Sequence, residues 1–498
     1  MAGGAGLQSG MAKGWGPAWA LPLGLLLALV IAFPRSFVGG GGDDWYYLEA
    51  ARCAAEHGWC VPTTHWAARL PLVLPMGGTL ALLGPAAWVV ALVPLAYAIA
   101  GLVLFVANVE HRFGRLQGMA AGAAFALTPI VPLNSLIPLV DLPEFAWTMA
   151  ALLALQHGLD RRNARLAALA GAALALGVMT RTSLVALFPL FGIGWLFLDA
   201  GRRRLALPFA AAFGAVLAAE ALFHLLTAGD PLLGWHLAFR HTQIATSELP
   251  AGLDVGHSPL FNLELIRHWR RGMGIEVHWT VDPLLNLLAD PLSGLTWCGA
   301  IALAVARVRD WRRDRWLPGL AVAALLHFLL ITYVLAIDPK PRMFLLETAT
   351  AGATIGVLGV AAWRSGSRVF VAILLALIAG RALLMGYDQT DMGQVRRVAA
   401  AWLAAAPHGS VATDEWTRRT LALVPAARSL PPVEAAPGRD RLYLGREACG
   451  GGRVLQAQGF VRRDPAVLAW LRSRRVLLAP QAPLRLCLVR PPRHGAGG

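Results

Sequence analysis

The sequence is short of charge. Only 15% of its 498 residues are Asp, Glu, Lys or Arg, whereas 57% are hydrophobic, and the mean hydropathy is +0.56. A soluble enzyme of this length carries far more charge, so that class is excluded and an integral membrane protein is expected. Lysine is almost missing, with Lys13 and Lys340 alone among 44 basic residues. Together with the abundance of Ala, Arg and Gly, this points to a bacterial coding sequence of high GC content. Cysteine is scarce as well: Cys53, Cys60, Cys298, Cys449 and Cys487 fit no zinc spacing, which sets metal-thiolate sites aside. The formal net charge of +15 does not argue for nucleic acid as a partner, because basic loops orient a membrane protein. An internal repeat of the kind found in many transporters is lacking too.

What the chain has in quantity is apolar segments long enough to cross a hydrocarbon core as helices, which satisfy their own backbone groups there. Eleven are expected, at about 18–37, 85–108, 117–133, 142–158, 165–180, 183–199, 205–227, 287–306, 316–337, 344–363 and 369–386. The first, preceded by Lys13, is read as an uncleaved span rather than a secretory signal, since no small-residue cleavage site stands out. Residues 69–84 are apolar too, but Pro71, Pro75 and Pro85 suggest re-entrant or interfacial helices on the outer face.

Arginine placement tests that count. With the amino terminus inside, alternate crossings return to HRFGR (111–115), DRRNAR (160–165), GRRR (201–204), RVRDWRRDR (307–315) and RSGSR (364–368), five short loops holding fifteen arginines. Such enrichment marks the cytoplasmic side, and one miscounted helix would break the alternation. The outer side then receives a first loop at 38–84 and a long loop at 228–286. Beyond residue 386 the apolar runs stop, so the chain is expected to divide into a membrane domain (1–386) and a small α/β or α+β domain (387–498) on the outer, periplasmic side of a bacterial inner membrane. HGSVATDEW and RLCLVR read as strands there, and DPAVLAWLRSRR as an amphipathic helix. An oxidising compartment would allow Cys53 to pair with Cys60, and Cys449 with Cys487; unpaired buried thiols are the other reading.

Ionisable residues in a membrane domain are costly and usually face a cavity or a site. Asp43, Asp44, Asp141, Glu144, Arg181, Glu220, His224, Arg342 and Glu347 all fall near the outer ends of the expected spans, as a single interfacial site would require. His327 lies nearer the midplane, where a lone histidine is usually a packed, hydrogen-bonded residue. Asp43 and Asp44, behind four glycines, could cap the helix WYYLEAARCAAEH or act as a general base toward an acceptor hydroxyl. Arg181 and Arg342 could snorkel at helix ends or hold a phosphate, for which the planar guanidinium is suited. Glu220 and His224, one helical turn apart, share a face that could bind a divalent metal or a sugar hydroxyl, or could simply pack the bundle.

Several segments, in order, resemble the GT-C superfamily of membrane glycosyltransferases, in particular the family 39-like branch with protein O-mannosyltransferases and lipid A aminoarabinose transferases. They are GDDWYYLEAAR (42–52), THWAARLPLVLP (64–75), DLPEFAWTMAALLAL (141–155), LALGVMTRTSLVALFPL (174–190), EALFHLLTAGDPLLGWHLAFRH (220–241) and PKPRMFLLE (339–347). The resemblance implies a mainly α, polytopic GT-C helix bundle and transfer of a sugar from a polyprenyl-phosphate donor to a glycolipid, polysaccharide or protein acceptor. Asp44 or Asp43 would be the base, with Asp44 slightly favoured, and Asp141 a second acid that orients the acceptor or shares a metal. Arg181 and Arg342 would bind the donor phosphate. Tyr47, His65, Arg69, Glu144 and His241 would be substrate or lid contacts. The reading to set against this is a transporter or flippase of lipid-linked sugars, which needs no base at Asp43 or Asp44.

Overall fold

The structure, a computed structural model, describes residues 17–34, 43–239, 284, 287, 288, 290–313, 316–334, 341–387, 390–407, 409–436, 438–445, 449, 452–460, 464–474 and 484–492. Each of the eleven expected spans falls on helix. The first is α1 (Ala20–Ala32), after which α2 (Asp43–His57) and α3 (Leu70–Leu83) fill the first outer loop. Then come α4 (Ala87–Phe113), α5 (Arg115–Ala126), the short α6 (Ile130–Asn134), α7 (Asp141–Arg161), α8 (Ala164–Thr180), α9 (Phe188–Leu196), α10 (Ala200–Arg203), α11 (Ala206–Ala228) and α12 (Leu233–Phe239). The later part supplies α13 (Gly294–Ala306), α14 (Val308–Arg313), α15 (Trp316–Leu329), α16 (Leu345–Arg364) and α17 (Arg368–Tyr387).

Among the described residues, four stretches are long and apolar enough to cross a membrane by length and composition: Ala87–Phe113, Ala200–Ala228, Arg342–Arg364 and Arg368–Ala405, with shorter apolar helices such as Leu70–Leu83 and Ala164–Thr180 beside them. Some expected spans are broken. The segment 117–133 stops at Ala126 and restarts as α6, and 183–199 opens as a 3-10 helix over Thr182–Leu187 before α9. The proline-rich 69–84 is one continuous helix with Pro75 inside it.

Two of the arginine-bearing loops, 111–115 and 160–165, are tight turns. A single residue, Gly114, joins α4 to α5 at φ 98°, a left-handed conformation that glycine adopts without a Cβ clash. Between α7 and α8, Arg162 takes the left-handed conformation and the Asn163 side chain caps α8 by accepting from the Arg165 and Leu166 amides. Such turns make antiparallel neighbours of α4 with α5 and of α7 with α8, and those pairs pack together. Small residues then let helices approach closely. A Cβ on Gly171 of α8 would lie 2.0 Å from the Phe209 carbonyl oxygen of α11, and one on Gly356 of α16 would lie 2.4 Å from the Ala121 amide nitrogen of α5. The main apolar cluster unites residues of α1, α4, α5, α7, α13, α16 and α17.

After α17 the chain forms α18 (Met392–Ala405), started by the Asp391 side chain, and a four-stranded sheet ordered β1 (Val411–Thr413), β2 (Asp440–Gly445), β4 (Leu484–Arg490), β3 (Arg453–Phe460). β1 and β2 run parallel, joined through α19 (Glu415–Thr420), while β4 is antiparallel to both β2 and β3. The strand expected in HGSVATDEW is β1, that in RLCLVR is β4, and DPAVLAWLRSRR forms α20 (Ala466–Ser473). Met392, Val395 and Ala399 of α18 pack onto Val411, Leu442, Leu486 and Leu488 of the sheet. Both cysteine pairs are disulfides, Cys53–Cys60 and Cys449–Cys487, each with Cα atoms 5.8 Å apart, while Cys298 is free and exposed. Ala422 of this region shares a cluster with Tyr47 and Leu48 of α2 and Leu72 and Val73 of α3, so the sheet region is seated on the helices of the first loop.

Candidate active site

Five of the expected residues form one row of alternating charge. Arg342 donates to the Asp43 carboxylate and its Nε lies 3.8 Å from Asp141 Oδ2. Arg181 Nη1 donates to Asp141 Oδ1 at 2.8 Å and to Glu144 Oε2 at 3.2 Å. The row therefore reads Asp43, Arg342, Asp141, Arg181, Glu144. Four separate stretches supply it. Asp43 opens α2, Asp141 and Glu144 stand in the first turn of α7, and Arg342 belongs to a 3-10 turn leading into α16. Arg181 follows the last residue of α8 in an extended conformation (φ −151°, ψ 113°), which turns its side chain off the helix axis toward α7. Two acids at the start of α7 also suit the positive end of that helix.

Burial works against the Arg181 charge, but Glu144 and Asp141 outweigh it and hold the guanidinium above its ordinary pKa. Tyr47, one turn after Asp43 on α2, is buried; burial first and the Asp43 charge second push its phenol up, so it stays protonated as a hydrogen-bond donor. Arg69, just before α3, is buried as well and is held below the usual arginine value by burial, against the pull of Tyr47. Its electrostatic neighbours are Tyr47, Arg181, Glu220 and Glu144, which places it beside the row.

The two adjacent aspartates part company. Asp43 keeps 32% of its side-chain surface exposed and meets Arg342. Asp44 is 3% exposed and interacts electrostatically with Arg396 of α18. His65 lies against Trp66 at 3.8 Å between ring centroids, and Trp66 stacks on Tyr46 at 4.1 Å. Arg419 of α19 donates to the Tyr46 hydroxyl at 3.3 Å, so His65 belongs to an aromatic stack under the sheet region.

Glu220 and His224 do share a face of α11. A Cβ on Gly234 of α12 would lie 3.7 Å from Glu220 Oε1 and 3.7 Å from His224 Nε2. Neither His224 ring nitrogen has a hydrogen-bond partner among the described residues. Two side chains are too few to hold a divalent ion by themselves. Among the described residues, the group of three metal-capable side chains is Cys53, His57 and Cys60, of which the cysteines are disulfide-bonded. His241 lies outside the described residues. The aspartate of the Gly-Asp-Pro segment after α11, Asp230, is engaged by His236 at 2.7 Å.

Sequence reasoning passed over two residues. Arg396 sits on an amphipathic helix of the carboxy-terminal region, where an arginine normally faces water. Arg419 gave no signal either, since its partners Tyr46 and Trp45 are over 370 residues away in sequence. His327, expected to be a packed, hydrogen-bonded residue, is bonded to Glu347 at 2.5 Å with both side chains buried.

Residues 73–226 match the model of the family described as dolichyl-phosphate-mannose-protein mannosyltransferase. Among solved structures, the fold is similar to the Archaeoglobus fulgidus oligosaccharyltransferase in complex with Zn and sulfate, at TM-score 0.51 and 14% identity, over 83% of this chain and 62% of that one. The chain thus spans less than two thirds of that protein's length. The same archaeal enzyme, AglB, in complex with an inhibitory peptide and a dolichol-phosphate aligns at TM-score 0.47 and 14% identity, over 83% and 61% of the two chains. ArnT from Cupriavidus metallidurans bound to undecaprenyl phosphate aligns over 94% of this chain and 97% of that one, at 13% identity and TM-score 0.34. None of the curated protein sequences matches the chain. The helical fold and the partial family match together make the chain similar to membrane glycosyltransferases of GT-C type. In sequence the likeness is to the protein mannosyltransferase family, over α3 to α11.

Proposed function

We propose that the protein transfers a sugar from a polyprenyl-phosphate donor to a glycolipid, polysaccharide or protein acceptor by inverting displacement, with Asp43 as general base. The observation that carries this reading is the alternating row Asp43, Arg342, Asp141, Arg181, Glu144. The acceptor oxygen attacks the anomeric carbon, the bond from that carbon to the phosphate oxygen breaks, and the electron pair leaves with the lipid phosphate. Arg342 and Arg181 would carry the phosphate charge, and the acceptor proton would pass to Asp43. Asp43 is preferred to Asp44 because it is the accessible acid of the pair and touches the cation that would bind the phosphate. A phosphate on Arg342 competes with Asp43 for the same guanidinium, so donor binding would release the carboxylate to act as base. Asp141, held by both arginines, would keep them spaced for the donor, and the Tyr47 hydroxyl and Arg69 would contact substrate.

The reading includes eleven spans, a membrane domain over 1–386 and a second domain over 387–498, with site and second domain on the periplasmic side of a bacterial inner membrane. Two disulfides suit such a compartment. The membrane itself, the lipid-linked donor and the acceptor are then the partners, and a divalent ion would need ligands beyond Glu220 and His224.

The test is reconstitution in proteoliposomes with radiolabelled polyprenyl-phosphate sugars and a membrane extract as acceptor. Transfer of label with release of polyprenyl phosphate is expected. Movement of intact lipid-linked sugar across the bilayer without its consumption would replace this reading with a flippase.

A further inference from the structure

A cavity of about 280 Å³ opens between α2 and the sheet region, and none of the five residues of the charged row lines it. Its walls include Trp45, Glu49, Arg52 and Glu56 of α2, and Arg418 and Arg428 of the carboxy-terminal region. Three arginines and two glutamates line it. Two of the arginines are already paired with glutamates. Arg52 is bonded to Glu49 at 2.8 Å, and Arg418 to Glu415 outside the cavity, whereas Arg428 has no carboxylate partner among the described residues. Arg428 Nε donates instead to the Ala422 carbonyl at 2.7 Å, and Arg52 Nη2 donates to that same oxygen at 2.9 Å. Two guanidinium groups are thus gathered on one neutral acceptor. Arg428 Nη2 and Arg52 Nε are left buried with no hydrogen-bond acceptor among the described residues. Such an arrangement is costly as it stands, and an anion settling between the two would relieve it.

The geometry points to this cavity as a subsite for one anionic sugar residue of the acceptor. The acceptor assignment rests on the glycosyltransferase reading above; the binding itself does not. Its volume lies just below the range of drug-sized pockets, which suits one sugar unit rather than a chain. An aromatic wall with a few convergent polar groups is the usual make-up of a small-molecule site, and Trp45 supplies the ring. The position fits an acceptor as well. At a rise of about 1.5 Å per residue, Glu49 stands roughly 9 Å and Arg52 roughly 14 Å along α2 from Asp43. An acceptor chain could therefore rest an acidic residue here while its reacting hydroxyl meets Asp43.

Saturation-transfer NMR on the full chain in nanodiscs, with sodium glucuronate, glucose 6-phosphate and glucose as probes, tests this without turnover. Glucuronate, glucose 6-phosphate or both should bind at least 10-fold more tightly than glucose, and the stronger of the two tells whether carboxylate or phosphate is preferred. Arg428→Gln should remove that preference, and Asp43→Asn should keep it. Arg418→Gln, at a more exposed position, serves if Arg428→Gln does not fold, and should weaken binding of the anionic sugar several-fold. Equal binding of glucose, or anionic binding unchanged in both arginine variants, would overturn the proposal. If anionic binding is intact while no sugar is transferred from any lipid donor, the subsite stands and the glycosyltransferase reading falls.

Discussion

Replacing Asp43 and Asp44 one at a time by asparagine should give two different defects, although the substitutions are adjacent and chemically identical. In Asp43→Asn the lost partner is Arg342, a contact whose two side chains keep 24% and 32% of their surfaces exposed, so its loss costs little stability, about 1 kcal/mol or less. If Asp43 removes the acceptor proton, turnover falls by about 10²- to 10⁴-fold, which is roughly 3–5 kcal/mol in the barrier. In Asp44→Asn the order reverses. Asp44 is buried beside the buried Arg396, and stripping one member from a buried charge pair costs about 3–5 kcal/mol of stability. The rate per folded molecule should change far less. The assay is initial transfer rate per mole of protein, corrected by the folded fraction from size exclusion and a thermal melt in the same detergent. A wild-type rate in Asp43→Asn, or a larger loss of corrected rate in Asp44→Asn, would refute the division of roles.

The other expectations follow from the same geometry. Arg342→Gln should raise KM for the lipid-phosphate donor roughly 10- to 150-fold, the equivalent of one charge-assisted hydrogen bond, in donor-titration kinetics. Arg181→Met should instead fail as a fold, since Asp141 and Glu144 both lose the guanidinium that neutralises them; a loss of about 3–5 kcal/mol would show as a lowered melting temperature and poor yield. Gly171→Val should separate α8 from α11 and cost about 1–3 kcal/mol, whereas Gly214→Ala, where an added Cβ meets nothing within 4 Å, should melt like wild type. Maleimide labelling should find one thiol, Cys298, in the native protein, and reducing the 38-residue Cys449–Cys487 link should lower stability by about 4 kcal/mol on the loop-entropy estimate.

The helix positions and the grouping of charge at one end of the bundle were legible in the sequence, because both follow from local rules. Apolar length places a span, and arginine in alternate loops sets its parity, so Asp141, Arg181 and Arg342 were bound to arrive at the same level. Which acid meets which cation was not legible. Asp43 and Asp44 are consecutive on α2, and successive helical residues point about 100° apart. Their partners, Arg342 and Arg396, depend on what each neighbouring element presents to that helix. The same holds for His327, which pairs with Glu347 only because α15 and α16 pack side by side. The stack beside His65 is a further case: His65 adjoins Trp66, Trp66 stacks on Tyr46, and Tyr46 meets Arg419 in a contact made across most of the chain.

α2 is shared property. Asp43 at its start faces the charged row, while Asp44, Tyr46 and Arg52 are held by Arg396, Arg419 and the Ala422 carbonyl of the carboxy-terminal region. A truncation after α17 would therefore not yield a minimal enzyme, because the helix bearing the proposed base would lose its roof. A chimera that exchanged the carboxy-terminal region between relatives would have to carry residues 43–57 with it. Substitutions at the seam should be tolerated as matched pairs across it and rejected singly.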